Sequence, residues 1–333
     1  MYETHFRLTG KPFQLVPDPS FFYGSKGHKR ATAYLDYGVS RGEGFIVITG
    51  EIGAGKTTLV RNLFQKLATD KIHAIQIVTT HLGADDMLRM VAAALHLAHT
   101  DSSKATLLVG IETLLRQIDQ QGKRVLLVID EAQNLSPRAI EELRMLSNFQ
   151  SESRSLLQTF LLGQPEFKNT MMRPEMEQLR QRVIATCHLG PMEPRETRDY
   201  IEHRLHTVGW DNFPSITDDA FVAIHEFCEG VPRKINTLCD RLLLMGYLEE
   251  LNELGIDQVK TIISDLREEF HLPASEVVTA PQVTIADANL ALASVAEMNA
   301  RISGVEDSMA SVLRAVKSLV DLFQPLKEQI NKQ

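Results

Sequence analysis

The sequence predicts an α/β fold in which a parallel sheet carries helices on both faces, followed by a small helical domain and a C-terminal heptad-repeat helix. Three observations carry this expectation. The stretch Gly50-Glu51-Ile52-Gly53-Ala54-Gly55-Lys56-Thr57 lies between an apolar run at 45–48 and a helix-compatible run from Thr58, which is the phosphate-loop pattern in a strand-turn-helix context. Short β-rich runs alternate with segments of helical period up to about residue 190. Beyond residue 286, apolar residues recur at spacings of three and four, as in a coiled coil.

Length and composition set the frame for these elements. A chain of 333 residues exceeds one typical domain, so two globular domains plus an extension are expected. A formal net charge of -8 argues against a protein that coats nucleic acid. Cys187, Cys228 and Cys239 are too few and too scattered for a disulfide framework or a paired-cysteine metal site, and read as small buried apolar residues. No run approaches the roughly eighteen apolar residues of a membrane span, and Met1-Tyr2-Glu3-Thr4-His5 lacks the basic and apolar regions of a signal peptide. The expectation is a cytoplasmic protein that reaches a membrane only through a partner.

Residues 1–40 form an N-terminal arm and helix. Phe6, Phe13, Phe21, Phe22 and Tyr23 are interrupted by Pro12, Pro17 and Pro19, and prolines at that density forbid a long helix. Such an arm wraps a neighbouring domain, and it either lines a nucleotide-base site or packs without touching a ligand. Residues 28–39 read as a helix. The nucleotide-binding domain spans 41–190, with strands expected at 45–48, 74–79, 125–129, 156–162 and 183–188. Helices are expected at 58–67, 84–95, 105–120 and 140–148. The continuously apolar run at 125–129 fits a strand buried on both faces. The helical domain spans 191–270 with no strand signal, and its helices fall at 195–208, 217–228, 232–248 and 257–269. Pro232 suits a first helical turn.

Residues 271–286, with Pro273 and Pro281, read as a linker. The heptad helix occupies 287–333, with Val295, Met298, Ile302, Val305, Met309, Val312, Val316, Leu319, Phe323, Leu326 and Ile330 along its seam. With Val295 at position a, Leu313 and Val320 fall at e and Ala315 and Leu322 at g, so the apolar face widens towards the C-terminus. That width, with β-branched Val305 and Val312 at d, favours more than two strands or docking onto a partner helix. Pro325 breaks or kinks the last turns. A single amphipathic helix folding back on its own domain is the alternative.

The chemistry concentrates at strand ends. In the phosphate loop, successive backbone N–H groups and the positive end of the following helix converge on phosphate oxygens. Gly53 and Gly55 permit close backbone approach. Lys56 is placed to reach the β- and γ-phosphates, and Thr57 to ligate Mg²⁺. Asp130 and Glu131 end the run from Val125, with Asp130 placed to hold the Mg²⁺ shell and Glu131 to polarise a water for attack on the γ-phosphate. No Asn-Lys-x-Asp element of the kind that reads guanine is present, which favours ATP. Gln164 follows the fourth strand and either positions that water or is a turn residue before Pro165. Arg180 and Arg182 precede the fifth strand, where an arginine either reaches a neighbouring subunit's nucleotide or pairs on the surface. Arg233 sits in the first turn of a helix set by Gly230 and Pro232, from which it can touch the γ-phosphate and couple lid position to nucleotide state. His81, His96 and His99 read as ordinary histidines.

Taken as a set, residues 50–57, Asp130-Glu131-Ala132-Gln133-Asn134-Leu135, Leu162-Gly163-Gln164-Pro165, Leu179-Arg180-Gln181-Arg182 and residues 230–236 resemble the AAA+ ATPases of the general secretion pathway A type. Met1-Tyr2-Glu3-Thr4-His5-Phe6, Gly10-Lys11-Pro12-Phe13 and residues 44–50 are most similar to the exosortase (PEP-CTERM) system-associated ATPase, which is encoded with exopolysaccharide synthesis and export genes. The resemblance covers about residues 1–270. It implies a three-layer P-loop NTPase (AAA+) core, with Gly50, Glu51, Ile52, Gly53, Ala54, Gly55, Lys56, Thr57 and Thr58 holding ATP. It also implies Thr57 and Asp130 at Mg²⁺, Glu131 in Walker B, Gln164 as sensor 1, Arg182 as arginine finger and Arg233 as sensor 2. Sensor 1 is more often Asn, Ser or Thr in that family, so glutamine at 164 is a departure. The secretion relatives carry a transmembrane segment and a periplasmic peptidoglycan-binding domain after the ATPase, where this chain has its heptad tail. The resemblance implies a homo-oligomer that serves a membrane polysaccharide or secretion assembly through a protein partner. A DNA-transposition regulator of the same subfamily and a non-hydrolysing nucleotide switch are the alternatives, the first disfavoured by the acidic charge.

Overall fold

A computed structural model of the chain describes residues 1–78, 83–100, 102–152 and 154–270. The expected linker, the heptad helix with its seam from Val295 to Ile330, Thr79 and His81 lie outside the described residues.

Five parallel strands form the central sheet: β1 (Phe45–Gly50), β2 (Ile72–Val78), β3 (Arg124–Asp130), β4 (Leu157–Gly163) and β5 (Val183–Leu189). Their order across the sheet is β2-β3-β4-β1-β5. In register, Ile129 lies beside Leu161, and Ile48 beside Leu162 on one side and Cys187 on the other. β1 and β4 are buried at every position, as strands in the middle of a sheet covered on both faces must be.

Side-chain alternation sorts the strand residues into two cores. Phe45, Val47, Leu127, Ile129 and Leu161 face Met87, Leu88, Val91, Ile111, Ile140 and Leu143. These partners come from helices α3 (Ala84–Ala94), α4 (Lys104–Gln120) and α5 (Pro137–Leu146). Ile46, Ile48, Leu126, Val128, Phe160 and Leu162 face Ala31, Leu35, Leu59 and Leu63, from helices α1 (Lys26–Arg41) and α2 (Lys56–Lys66). This is the three-layer arrangement that continuous apolar strands demand.

Three helices start two or three residues earlier than their apolar periodicity indicates, at Lys26, Lys56 and Pro137, the last behind the Ser136 side chain, which accepts from the Ala139 N–H. The Ser25 side chain accepts from the His28 N–H, so α1 begins at Lys26 and includes Gly27. The helix after the phosphate loop begins at Lys56 because Gly55 already turns the chain in the left-handed region at φ +94°.

The helical domain comprises α6 (Pro194–Thr207), α7 (Asp218–Cys228), α8 (Pro232–Leu248) and α9 (Ile256–Phe270). Its core is not its own alone. Tyr2, Phe6, Leu8 and Phe13 of the arm pack with Ile201, Leu205, Leu238, Leu242 and Leu254 in one cluster. The expectation that 191–270 lacks strands is corrected in one detail, since Ser215–Ile216 pairs in parallel with Glu253–Leu254. Two residues per strand carry no readable alternation, which is why the pattern does not show them. Among the described residues, no helix is long and apolar enough to cross a membrane.

Candidate nucleotide site

The strand order builds the site. The carboxyl ends of β3, β4 and β1 are neighbours, so Asp130, Gly163 and Gly50 meet at one edge although they are far apart in sequence. A crevice beyond the carboxyl ends of parallel strands is where α/β sheets hold ligands.

The loop 50–57 presents backbone rather than side chains. Gly53 and Gly55 have φ of +82° and +94°. A Cβ on Gly53 would lie 2.3 Å from Arg233 Cβ, and one on Gly55 would lie 2.7 Å from His28 Nε2. Both positions therefore require glycine sterically as well as conformationally. Lys56 is buried, and its Nζ donates to the Gly50 carbonyl at 2.6 Å and the Glu51 carbonyl at 3.0 Å. Burial pushes its ammonium below the ordinary lysine range, while Glu131, Asp130, Glu51 and Glu166 act in the opposite direction.

Thr57 Oγ1 donates to Asp130 Oδ2 at 2.8 Å, which brings a hydroxyl and a carboxylate oxygen together at the base of the loop. Hard oxygen donors of this number suit Mg²⁺, which takes few protein ligands and completes its shell with water and phosphate. Among the described residues there is no cluster of three or more His, Cys, Asp or Glu that would favour another metal.

Glu131 adopts a left-handed backbone at φ +57°, unusual for a non-glycine residue. Its N–H donates to Asp130 Oδ1 at 3.0 Å, and its Oε2 accepts from Gln133 Nε2 at 2.6 Å and from Gln164 Nε2 at 3.3 Å. Gln133 Oε1 in turn accepts from the Gln164 backbone N–H at 2.9 Å. Gln164 thus reaches the acidic pair, and Gln133, which sequence reasoning passed over, bridges them. The signal for Gln133 was its place two residues after the pair, in the one-turn helix Ala132–Asn134.

The lid approaches from the other side. Arg233 lines the pocket with Glu131, Lys56 and Thr57, and its backbone N–H donates to the Gly53 carbonyl at 3.3 Å. Gly230, at φ +69°, makes this possible, because a Cβ there would sit 2.1 Å from the Met192 carbonyl. The arm closes the remaining wall through Gln14, Leu15, Val16, Phe21, Phe22 and Tyr23. It is held by Arg204, which donates from Nε to the Pro12 carbonyl at 2.5 Å and from Nη1 to Tyr200 Oη at 2.9 Å. The Arg204 guanidinium also lies 4.7 Å from the Phe21 ring centroid. Tyr200 Oη donates to Asn236 Oδ1 at 2.8 Å. Tyr200, Arg204 and Asn236 all line the pocket; Asn236 ends the stretch 230–236 singled out in the sequence, whereas Tyr200 and Arg204 carry no local sequence signal.

The two candidate trans-acting arginines are not in this pocket. Arg182 donates to Ser147 Oγ at 2.8 Å and to Asn148 Oδ1. Arg180 donates to the Met171 and Arg173 carbonyls, both at 2.7 Å.

This is a P-loop fold of the AAA type, with a parallel sheet, a phosphate loop after its first strand and a helical lid. Residues 39–171 match the family described as the AAA domain. The chain is 36% identical over 249 residues to general secretion pathway protein A of Aeromonas hydrophila, an alignment covering 74% of this chain and 45% of that protein. It therefore spans less than half the length of that relative. Among solved structures it is similar to the ADP form of the Aeropyrum pernix ORC2 protein, with a TM-score of 0.60 at 15% identity over 76% of this chain and 72% of that one. Cdc6p of Pyrobaculum aerophilum gives a TM-score of 0.57 at 15% identity, over 75% and 71% of the two chains. At such identity these structures speak for the fold alone.

Proposed function

We propose that this chain is a Mg²⁺-dependent ATPase that works as a homo-oligomer and drives or regulates a membrane-associated exopolysaccharide or secretion assembly through a protein partner. The observation that carries the hydrolytic part is the convergence of Lys56, the Thr57–Asp130 pair and an amide-held Glu131 beside Arg233 at one crevice. The similarity to general secretion pathway protein A supports the secretion context.

In this reading the loop N–H groups and Lys56 bind the phosphates of ATP, and Thr57 and Asp130 hold Mg²⁺. Held there by Thr57 and Asp130, Mg²⁺ would supply positive charge against the phosphates. Glu131 accepts hydrogen bonding from the attacking water, while Gln133 and Gln164 keep its carboxylate turned to that position. Arg233 brings positive charge from the lid to the γ-phosphate, so that hydrolysis loosens the lid. Arg182 completes the site of an adjoining copy by exchanging its contacts to Ser147 and Asn148 for the neighbour's nucleotide.

The test is turnover and nucleotide binding of Glu131→Gln against the unaltered chain. Loss of about 10²- to 10⁴-fold in turnover with retained ATP affinity is expected. Unchanged turnover would overturn the hydrolytic role. The same variant held in ATP serves as bait for the partner, and light scattering with and without ATP reads the assembly state.

A further inference from the structure

Asn236 is a buried residue of α8 that nevertheless lines the nucleotide pocket. Its place on the helix indicates which part of a ligand it meets. Arg233 stands over the phosphate loop, with its Cβ 2.3 Å from where a Cβ on Gly53 would lie. Asn236 follows three residues later, on the same face of α8 and about 4.5 Å along its axis. Its side chain is bonded not to the loop but at the aromatic end of the pocket. There the Arg204 guanidinium lies 4.7 Å from the Phe21 ring centroid and 5.6 Å from that of Tyr200. A flat base with apolar faces suits that end, as phosphates suit the other.

The hydrogen bonds around Tyr200 decide which end of the Asn236 amide is left over. Arg204 Nη1 donates to Tyr200 Oη at 2.9 Å, and a guanidinium can only donate. The hydroxyl proton is therefore available to Asn236, where Oδ1 accepts it at 2.8 Å. Nδ2 keeps both of its N–H groups, and among the described residues none accepts from them. A donor in a buried residue that lines a pocket calls for an acceptor on the ligand. Adenine carries acceptors at its edges in N1, N3 and N7, and all three are ring nitrogens without a proton.

We propose that Asn236 is a specificity-determining residue of the nucleotide site, whose Nδ2 donates to an unprotonated ring nitrogen of adenine while Tyr200 and Arg204 hold the amide in that orientation. The proposal rests on the ATP-binding part of the function proposed above.

The experiment titrates the full chain, Asn236→Leu and Asn236→Asp calorimetrically with ATP, with 1-deaza-, 3-deaza- and 7-deaza-ATP, and with 2′-deoxy- and 3′-deoxy-ATP. Leucine removes the amide, whereas aspartate keeps an oxygen for Tyr200 and puts an acceptor where the donor was. In the unaltered chain, one deaza analogue should bind about tenfold more weakly than ATP, and the other analogues about as well as ATP. In Asn236→Leu, ATP should bind about tenfold more weakly and its advantage over that one analogue should vanish. In Asn236→Asp that advantage should vanish or reverse, which decides the matter even if the leucine variant fails to fold. An advantage that persists in the variants, or an equal loss for every analogue, overturns the proposal. So does discrimination confined to a deoxy analogue, which would place the amide at the ribose. If the unaltered chain binds ATP without turning it over, the hydrolytic reading falls while the analogue series still judges Asn236. If it binds no nucleotide, both fall.

Discussion

The two walls of the nucleotide crevice are built in opposite ways. The sheet wall comes from two contiguous stretches, 50–57 and 130–134, at the ends of strands buried along nearly their whole length. The lid wall is assembled from single residues brought together over long separations, as when Arg204 holds the Pro12 carbonyl across 192 positions. Phosphate binding needs backbone groups and a cation at fixed short spacing, so its residues cannot be dispersed. The opposite wall needs a shaped surface, which any well-packed set of side chains can supply. Damage to the sheet wall should therefore silence chemistry while leaving the fold intact, whereas damage behind the lid wall should act through stability.

The largest effect that probes this division is expected from Phe6→Ala. Phe6 is fully buried where the arm enters the lid core, and its removal should cost about 3–5 kcal/mol in urea unfolding. Nucleotide affinity should fall with it. An unfolding cost below about 1 kcal/mol would show that the lid core does not depend on the arm.

Next in size is Lys56→Ala, for which turnover should drop by about 10²- to 10³-fold. Because the ammonium is buried at a cost, the melting temperature should stay level or rise. Melting and ATPase assays on one preparation check this, and a parallel loss of stability would break the distinction between the walls.

The smallest effect sharpens it from the lid side. If Arg233 acts on the γ-phosphate as proposed, Arg233→Ala should weaken ATP binding by about tenfold while ADP binding changes little. Equal losses for the two nucleotides, read by calorimetric titration, would assign Arg233 to general lid packing instead.

The contrast between the walls also explains which residues the sequence revealed. Lys56, Thr57, Asp130 and Glu131 stand in stretches whose spacing is dictated by the chemistry, so their types and positions announce them. Gln164 could be placed at a strand end, but its reach to Glu131 depends on Gln133 folding back in a single turn. His28 had a local sign only of helix capping, from Ser25 three residues before it, and nothing local connects that cap to Gly55. Arg204 and Tyr200 lie on a helix of ordinary polarity, and only the packing of the arm turns them towards the crevice.

By itself the sequence determined the strand-loop-helix unit, the acidic strand end, the alternation of β3 and its neighbours between two cores, and the change from sheet to helices after residue 190. These depend on backbone conformation and side-chain period within a few residues, and such information is local. Only the tertiary structure decided that β4 lies between β3 and β1, which sets Asp130 and Gly163 beside the phosphate loop, and that the arm completes the lid core. The reason is that burial of apolar surface is non-directional: it requires each apolar run to be covered without naming the run that covers it. The partner was chosen by topology and by the fit of the whole core.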